Sequence, residues 1–116
     1  MREILFYETA SGQKPIEDFL DQLPSKQAQK VTYILKLVED LERVPSKYFK
    51  KMVNTEDLWE IRVAAGSNIF RLIGFFDGPN LVVLAHAFQK KTQKTPERVI
   101  KVAEERKKDY FGRKMK

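Results

Sequence analysis

Three stretches rich in β-branched and aromatic residues follow one another through the middle of the chain and are joined by short turns. They cover residues 58–64, 69–76 and 81–88. Gly66-Ser67 is a two-residue hairpin signal between the first two stretches, and Asp-Gly-Pro-Asn at residues 77–80 forms a four-residue turn before the third. This pattern predicts three consecutive antiparallel strands.

The flanking segments predict one more strand and three helices. Residues 2–8 have the composition of a strand, Pro15 opens a short helix, and residues 26–43 carry apolar side chains at helical spacing. A last helix is expected from about residue 96 to 110, with Thr95 as its N-cap and Pro96 at its first position. The order β-α-α-β-β-β-α predicts a single α+β domain over residues 1–116. We expect a mostly antiparallel sheet packed against an N-terminal helical hairpin, with a basic C-terminal helix.

Positive charge is concentrated in the last quarter of the chain. The net charge is +6, and residues 86–116 alone hold 11 lysines and arginines against four acidic residues. Such a distribution favours a polyanionic partner, either RNA, DNA or an acidic protein.

Residue usage narrows the chemistry. The absence of cysteine excludes disulfides, thiol nucleophiles and Cys-ligated zinc. One histidine and no acidic cluster at ligand spacing predict no metal, and nothing indicates a small-molecule cofactor. The N-terminal residues do not resemble a signal peptide, and no apolar run approaches transmembrane length. We therefore expect a cytoplasmic protein with no membrane partner.

The two turns allow the strand register to be predicted. A loop at Gly66-Ser67 places Arg62 opposite Arg71 and Glu60 opposite Ile73. A loop at residues 77–80 places Arg71 opposite His86. The three basic side chains would then form one row across three strands, on the face that also carries Glu60.

Two arginines directly opposite each other repel, so the row favours an anion such as phosphate as its ligand. Lys90, Lys91 and Lys94 follow at the end of the same strand. Plainer interpretations stay open: Arg71 could pair with Glu60 across the strands, His86 could be a hydrogen-bonded structural residue, and the lysines could form a solvated loop.

The segments LWEIRV, FRLIGFF and VVLAHAFQKKTQKTPERVIKVAEERKKDY, in this order and spacing, resemble the HigB-like, phage-derived branch of the RelE/ParE toxin superfamily. The resemblance covers nearly the whole chain, and AFQKKTQKTPERVI is its most specific part. It implies a RelE-like fold and the toxin of a type II toxin–antitoxin pair. Members of the RelE branch are metal-free endoribonucleases that cut mRNA in the ribosomal A site.

The resemblance also implies roles for individual residues. The basic residues of the strands correspond to Arg71 and Arg62, and the basic group after the last strand corresponds to Lys90 and Lys91. A tyrosine that stacks on a base in some relatives corresponds loosely to Tyr110. Glu60 stands where some relatives have a cation, which is a departure from their pattern.

Cleavage of RNA without metal requires a base for the 2′-OH, positive charge at the phosphorane and an acid for the leaving oxygen. We expect Arg62 and Arg71 to hold the phosphate, Lys90 or Lys91 to add charge, and His86 to transfer protons, with Glu60 as the alternative base. The expected partners are the ribosome, mRNA and a cognate antitoxin. Further RNA contacts are expected from four lysines: Lys47, Lys50, Lys51 and Lys94.

Two other functions remain open from the sequence. A toxin of the ParE kind inhibits DNA gyrase with the same fold and without chemistry. A nucleic-acid-binding module would hold phosphates only, with a steep salt dependence and no cleavage product.

Overall fold

The structure is a computed structural model that describes residues 1–90 and 94–115. Its elements are β1 (Glu3–Phe6), α1 (Pro15–Asp21), α2 (Ser25–Asp40), β2 (Phe49–Lys51), β3 (Trp59–Ala65), β4 (Asn68–Asp77), β5 (Leu81–Lys90) and α3 (Glu97–Lys114). The predicted α+β class and the order of helices and strands are confirmed. The structure adds the short edge strand β2, in a segment that shows no strand periodicity.

The five strands form one mixed sheet in the order β1-β5-β4-β3-β2. The β3–β4–β5 meander is antiparallel as predicted, and β2 extends it at one edge. β1 is the strand at the other edge, where it pairs in parallel with residues 81–84 of β5.

Each face of the sheet carries its own apolar cluster. The helical hairpin α1–α2 covers one face, where Ile16, Val31 and Ile34 pack against strand residues such as Ile61 and Leu72. α3 covers part of the other face. The predicted helical hairpin and its packing against the sheet are therefore confirmed. Among the helices that the structure describes, none combines the length and apolarity needed to cross a bilayer.

α3 begins one residue later than predicted. Pro96 is its N-cap and not its first helical residue, so the expected capping role of Thr95 is wrong. Its C-terminal half is tied to the sheet: Asp109 accepts a hydrogen bond from the Tyr7 hydroxyl at 2.5 Å, and Lys114 Nζ lies 2.6 Å from Asp77 Oδ2. These contacts lay α3 across the face on which the predicted site residues lie.

Candidate active site

Strands β3 and β4 pair as the Gly66-Ser67 loop predicts. Arg62 lies opposite Arg71, and Glu60 lies opposite Ile73. A two-residue loop determines which residues of the two strands lie opposite each other, so this pairing could be predicted from the sequence. The predicted position of Arg62 directly opposite Arg71 is therefore confirmed.

The predicted row through His86 is wrong, because the second hairpin has a different register. Arg71 lies opposite Phe88, and His86 lies opposite Ile73. The turn closes with three residues, 78–80, and the register then shifts again between Ile73 and Gly74, as at a β-bulge. The two one-residue shifts add up to two, so His86 stays on the predicted face but lies opposite Ile73, two residues along β4 from Arg71.

Arg71 forms an ion pair with Glu60. Its Nη1 lies 2.5 Å from Glu60 Oε1, and the two side chains are only 13% and 12% exposed. The interpretation in which Arg71 pairs with Glu60 across the strands is therefore what the structure contains. Arg71 Nε is buried and finds no acceptor among the described residues. A buried donor of this kind is costly, and an acceptor that reached it would be bound favourably.

Lys90 lies close enough to this pair to respond to it. Burial lowers the pKa of Lys90, and the nearby Arg71 and Arg62 lower it further, while Glu60 opposes the effect. Arg62 itself is exposed. The structure thus gathers three of the predicted cations around one carboxylate. Lys91, the other predicted cation at the end of β5, lies outside the described residues.

A cleft of about 700 Å³ opens beside Glu60 and Arg71. We name it the arginine cleft. One wall comes from β2 and the loop after it, and the other from the start of α3. Its lining includes three of the predicted RNA-binding lysines, Lys50, Lys51 and Lys94. Lys50 pairs with Glu60 across β2–β3, and Lys51 Nζ lies 2.9 Å from Asp57 Oδ1.

The fourth predicted RNA-binding lysine lies elsewhere. Lys47 is exposed, and its Nζ sits 4.9 Å from the centre of the Tyr48 ring. It is not part of the lining of the arginine cleft. Its contact with RNA stays a prediction.

His86 lines a second cleft, on the β5 side of α3. Arg106 Nη1 lies 3.2 Å from its Nδ1 and 2.8 Å from the backbone oxygen of Ala85. Burial lowers the pKa of His86, and the charge of Arg106 lowers it further. The ring is therefore neutral at neutral pH, with Nδ1 accepting from the guanidinium. Sequence reasoning missed Arg106, because its neighbours Glu104, Glu105 and Lys107 give it the pattern of a solvated helix surface.

Tyr110 packs at the other end of β4. Its ring contacts Phe75 and Phe111 edge-on, and its hydroxyl donates to Asp77 Oδ2 at 2.7 Å. Burial, followed by the hydrogen bond to Asp77, raises the pKa of Tyr110 to about 12. The ring serves the packing of α3, and its role in stacking on a base stays a prediction.

The five-stranded mixed sheet with its helical hairpin and C-terminal helix is an α+β fold that is compatible with the RelE-like fold. Residues 18–108 match the model of the family described as "Phage derived protein Gp49-like (DUF891)", and the chain belongs to this family. It is a family of RelE/HigB-like toxins, and RelE-like toxins are ribonucleases. Membership of a toxin family points to an antitoxin as a partner. Comparison with the curated proteins finds no match to this chain.

Proposed function

We propose that this chain is the toxin of a type II toxin–antitoxin system and acts as a metal-free, ribosome-dependent mRNA endoribonuclease that inhibits translation. The observation that carries the proposal is the gathering of Arg62, Arg71 and Lys90 around Glu60 at the arginine cleft. A gyrase inhibitor or a phosphate-binding module needs no carboxylate among its cations. An RNA-cleaving site needs both a base and positive charge.

Arg71 and Arg62 hold the scissile phosphate in this proposal. Arg71 has five N–H donors, and the Glu60 contact uses only the Nη1 end. The remaining donors are available to phosphate oxygens, for which the planar guanidinium is well suited. The exposed Arg62 reaches the same phosphate from the neighbouring strand.

Glu60 and Lys90 carry the proton transfers. The Glu60 carboxylate takes the proton of the 2′-OH, and O2′ attacks the phosphorus. The P–O5′ bond breaks, and the Lys90 ammonium donates a proton to O5′. The products are a 2′,3′-cyclic phosphate and a 5′-hydroxyl end. A lowered pKa makes Lys90 a better acid than an ordinary lysine.

Glu60 replaces His86 as the preferred base because of their positions. Glu60 contacts Arg71, whereas His86 is neutral, bonded to Arg106 and opposite Ile73 instead of Arg71. A carboxylate is in general a weaker base than an imidazole, so cleavage of free RNA is slow in this proposal. The ribosome supplies substrate orientation, which alone contributes a large part of the rate.

Controlled expression in bacterial cells tests the proposal. The 5′ ends of mRNA are mapped after induction of the wild type, Arg71→Ala and the matched control Arg43→Ala, in which an exposed arginine away from the cleft is removed. New cuts within translated regions, present in the wild type and control and absent in Arg71→Ala, are expected. Growth arrest with altered DNA supercoiling and no cuts would assign the chain to gyrase inhibition instead.

A further inference from the structure

The cleft that His86 lines has a distinct chemistry. We name it the β5 cleft; its volume is about 590 Å³, and its lining comprises His86, Phe88, Gln89, Lys90, Pro96, Arg98, Val99 and Val102. The charged residues of this lining, Lys90 and Arg98, are both cations. The arginine cleft, in contrast, mixes its cations with Glu60, Glu97 and Glu104. Cations around an apolar floor fit a ligand that is anionic at its edge and flat and apolar at its centre.

Two nearly parallel rings line the β5 cleft. The centres of the His86 and Phe88 rings are 6.2 Å apart and their planes differ by 20°. Both side chains are half-buried, and both line the cleft. Nearly parallel, partly exposed rings are the surface on which single-stranded nucleic acids stack their bases. The sequence does not reveal that Phe88 is next to Arg71, because the predicted register placed His86 opposite Arg71 and Phe88 two residues further along the strand.

The platform is adjacent to the proposed phosphate site. Phe88 lies directly opposite Arg71 across β4–β5, and side chains of such pairs are neighbours on one face, with Cβ atoms roughly 5 Å apart. Lys90 lines the β5 cleft and is also close enough to Arg71 for its pKa to be affected. A nucleotide whose phosphate lies at Arg71 can therefore place its base at Phe88.

We propose that the β5 cleft is a base-binding subsite for single-stranded RNA, in which a base stacks on Phe88 beside His86 while Arg98 holds a flanking phosphate. This inference rests on the proposed function for the choice of RNA as the ligand. It gives His86 a place in substrate binding, in a neutral form that suits contact with an uncharged base.

Binding of an uncleavable oligonucleotide tests the subsite. A labelled single-stranded 2′-O-methyl RNA, which lacks the attacking hydroxyl, is titrated with the full chain by fluorescence anisotropy. Phe88→Leu keeps an apolar side chain against the core and is expected to weaken binding roughly ten-fold, since stacking contributes on that order per base. Phe88→Trp is expected to bind within about two-fold of the wild type, because it restores an aromatic face.

The matched control is Phe76→Leu, the same replacement of a half-buried phenylalanine in the cluster on the opposite face of the sheet. It is expected to leave RNA affinity unchanged. Oligonucleotides with one abasic position complete the test. At one position of the oligonucleotide, removal of the base is expected to weaken binding to the wild type roughly ten-fold. The same removal should have no additional effect on binding to Phe88→Leu, because both changes remove the same contact.

Three results would overturn the subsite. They are equal affinity of the wild type and a folded Phe88→Leu, an abasic effect of the same size in both proteins, and no measurable binding by the wild type. If Phe88→Leu lost as much affinity for polyglutamate as it does for RNA, the cleft would instead be a docking surface for an acidic protein. The mapping of mRNA ends tests the proposed function independently of the subsite. If mRNA is cut but Phe88→Leu binds RNA like the wild type, only the subsite is rejected. If Phe88→Leu binds RNA more weakly but no mRNA is cut, only the ribonuclease activity is rejected.

Discussion

Arg71 and Glu60 are paired diagonally across strands β3 and β4, with Nη1 and Oε1 2.5 Å apart. The carboxylate offsets the repulsion between Arg71 and Arg62, which lie directly opposite each other. The same carboxylate is the proposed base. One side chain thus has a structural role and a chemical role, and the two can be separated experimentally.

Glu60→Gln is expected to lower the cleavage rate on programmed ribosomes by about 100-fold, the scale of general-base catalysis. It is also expected to reduce the free energy of unfolding by roughly 1–3 kcal/mol, because Arg71 keeps its charge in a half-buried site without a carboxylate. Urea unfolding measures the second effect. Glu105→Gln on the exposed surface of α3 is the matched control. A Glu60→Gln protein that cleaves at the wild-type rate would remove Glu60 from the mechanism.

Lys90 is expected to set the alkaline limit of activity. Its ammonium is the proposed acid, and its pKa is lowered by burial and by Arg71, so activity is lost as the pH rises through a value below that of an ordinary lysine. Lys90→Arg keeps the positive charge at every accessible pH, but the guanidinium does not release its proton and cannot act as the acid. We expect this variant to cleave more slowly than the wild type and its remaining activity to lack the alkaline decline of the wild type. Identical alkaline limbs would show that another group titrates.

His86 is expected to make stability depend on pH in the acid range. Its pKa in the folded state is lowered from 6.5, first by burial and then by Arg106. The stabilisation from the neutral ring is complete above about pH 6.5 and decreases as the pH falls toward the folded-state pKa. The difference in unfolding free energy between wild type and His86→Gln should therefore shrink between pH 7.5 and 5, roughly the range of this titration. A difference that stays constant across this range contradicts the assignment.

Gly74 is required for the close approach of β4 and β5. A Cβ at this position would lie 2.3 Å from the Val83 backbone oxygen, so the strands would have to separate. Gly74→Ala is expected to cost about 2–3 kcal/mol in thermal or urea unfolding, at the upper end for overpacking. Gly112→Ala is the matched change in α3, where a Cβ meets nothing within 4 Å. It is expected to stabilise by about 0.5–1 kcal/mol. Equal effects of the two changes would contradict this account.

Tyr110 is expected to titrate late and to be dispensable for cleavage. With a pKa raised to about 12, Tyr110 should not contribute to an ultraviolet titration near pH 10, where an ordinary tyrosine ionises, as a difference spectrum against Tyr110→Phe would reveal. The ring already packs on Phe75 and Phe111, so Tyr110→Phe should keep wild-type cleavage. A folded Tyr110→Phe protein with reduced cleavage would show that the Tyr110 hydroxyl contributes to cleavage.

Local patterns were sufficient wherever a short turn or a full period fixed the geometry. The Gly66-Ser67 loop predicted the Arg62–Arg71 pair, and the apolar spacing of residues 26–43 predicted a helix that the structure has at Ser25–Asp40. The second hairpin failed for the opposite reason. The turn at residues 77–80 can close with three or four residues. No local sequence pattern predicts the register shift between Ile73 and Gly74.

The sequence by itself determined the fold class, the helical hairpin that packs against the sheet and the accumulation of cations at the end of β5, because periodicity and composition are local properties. Only the tertiary structure decided that Arg71 is neutralised by Glu60, that Phe88 and not His86 lies opposite Arg71, and that His86 is held by Arg106. These relationships depend on the register beyond a bulge and on the position of α3. Both follow from packing between residues far apart in the chain.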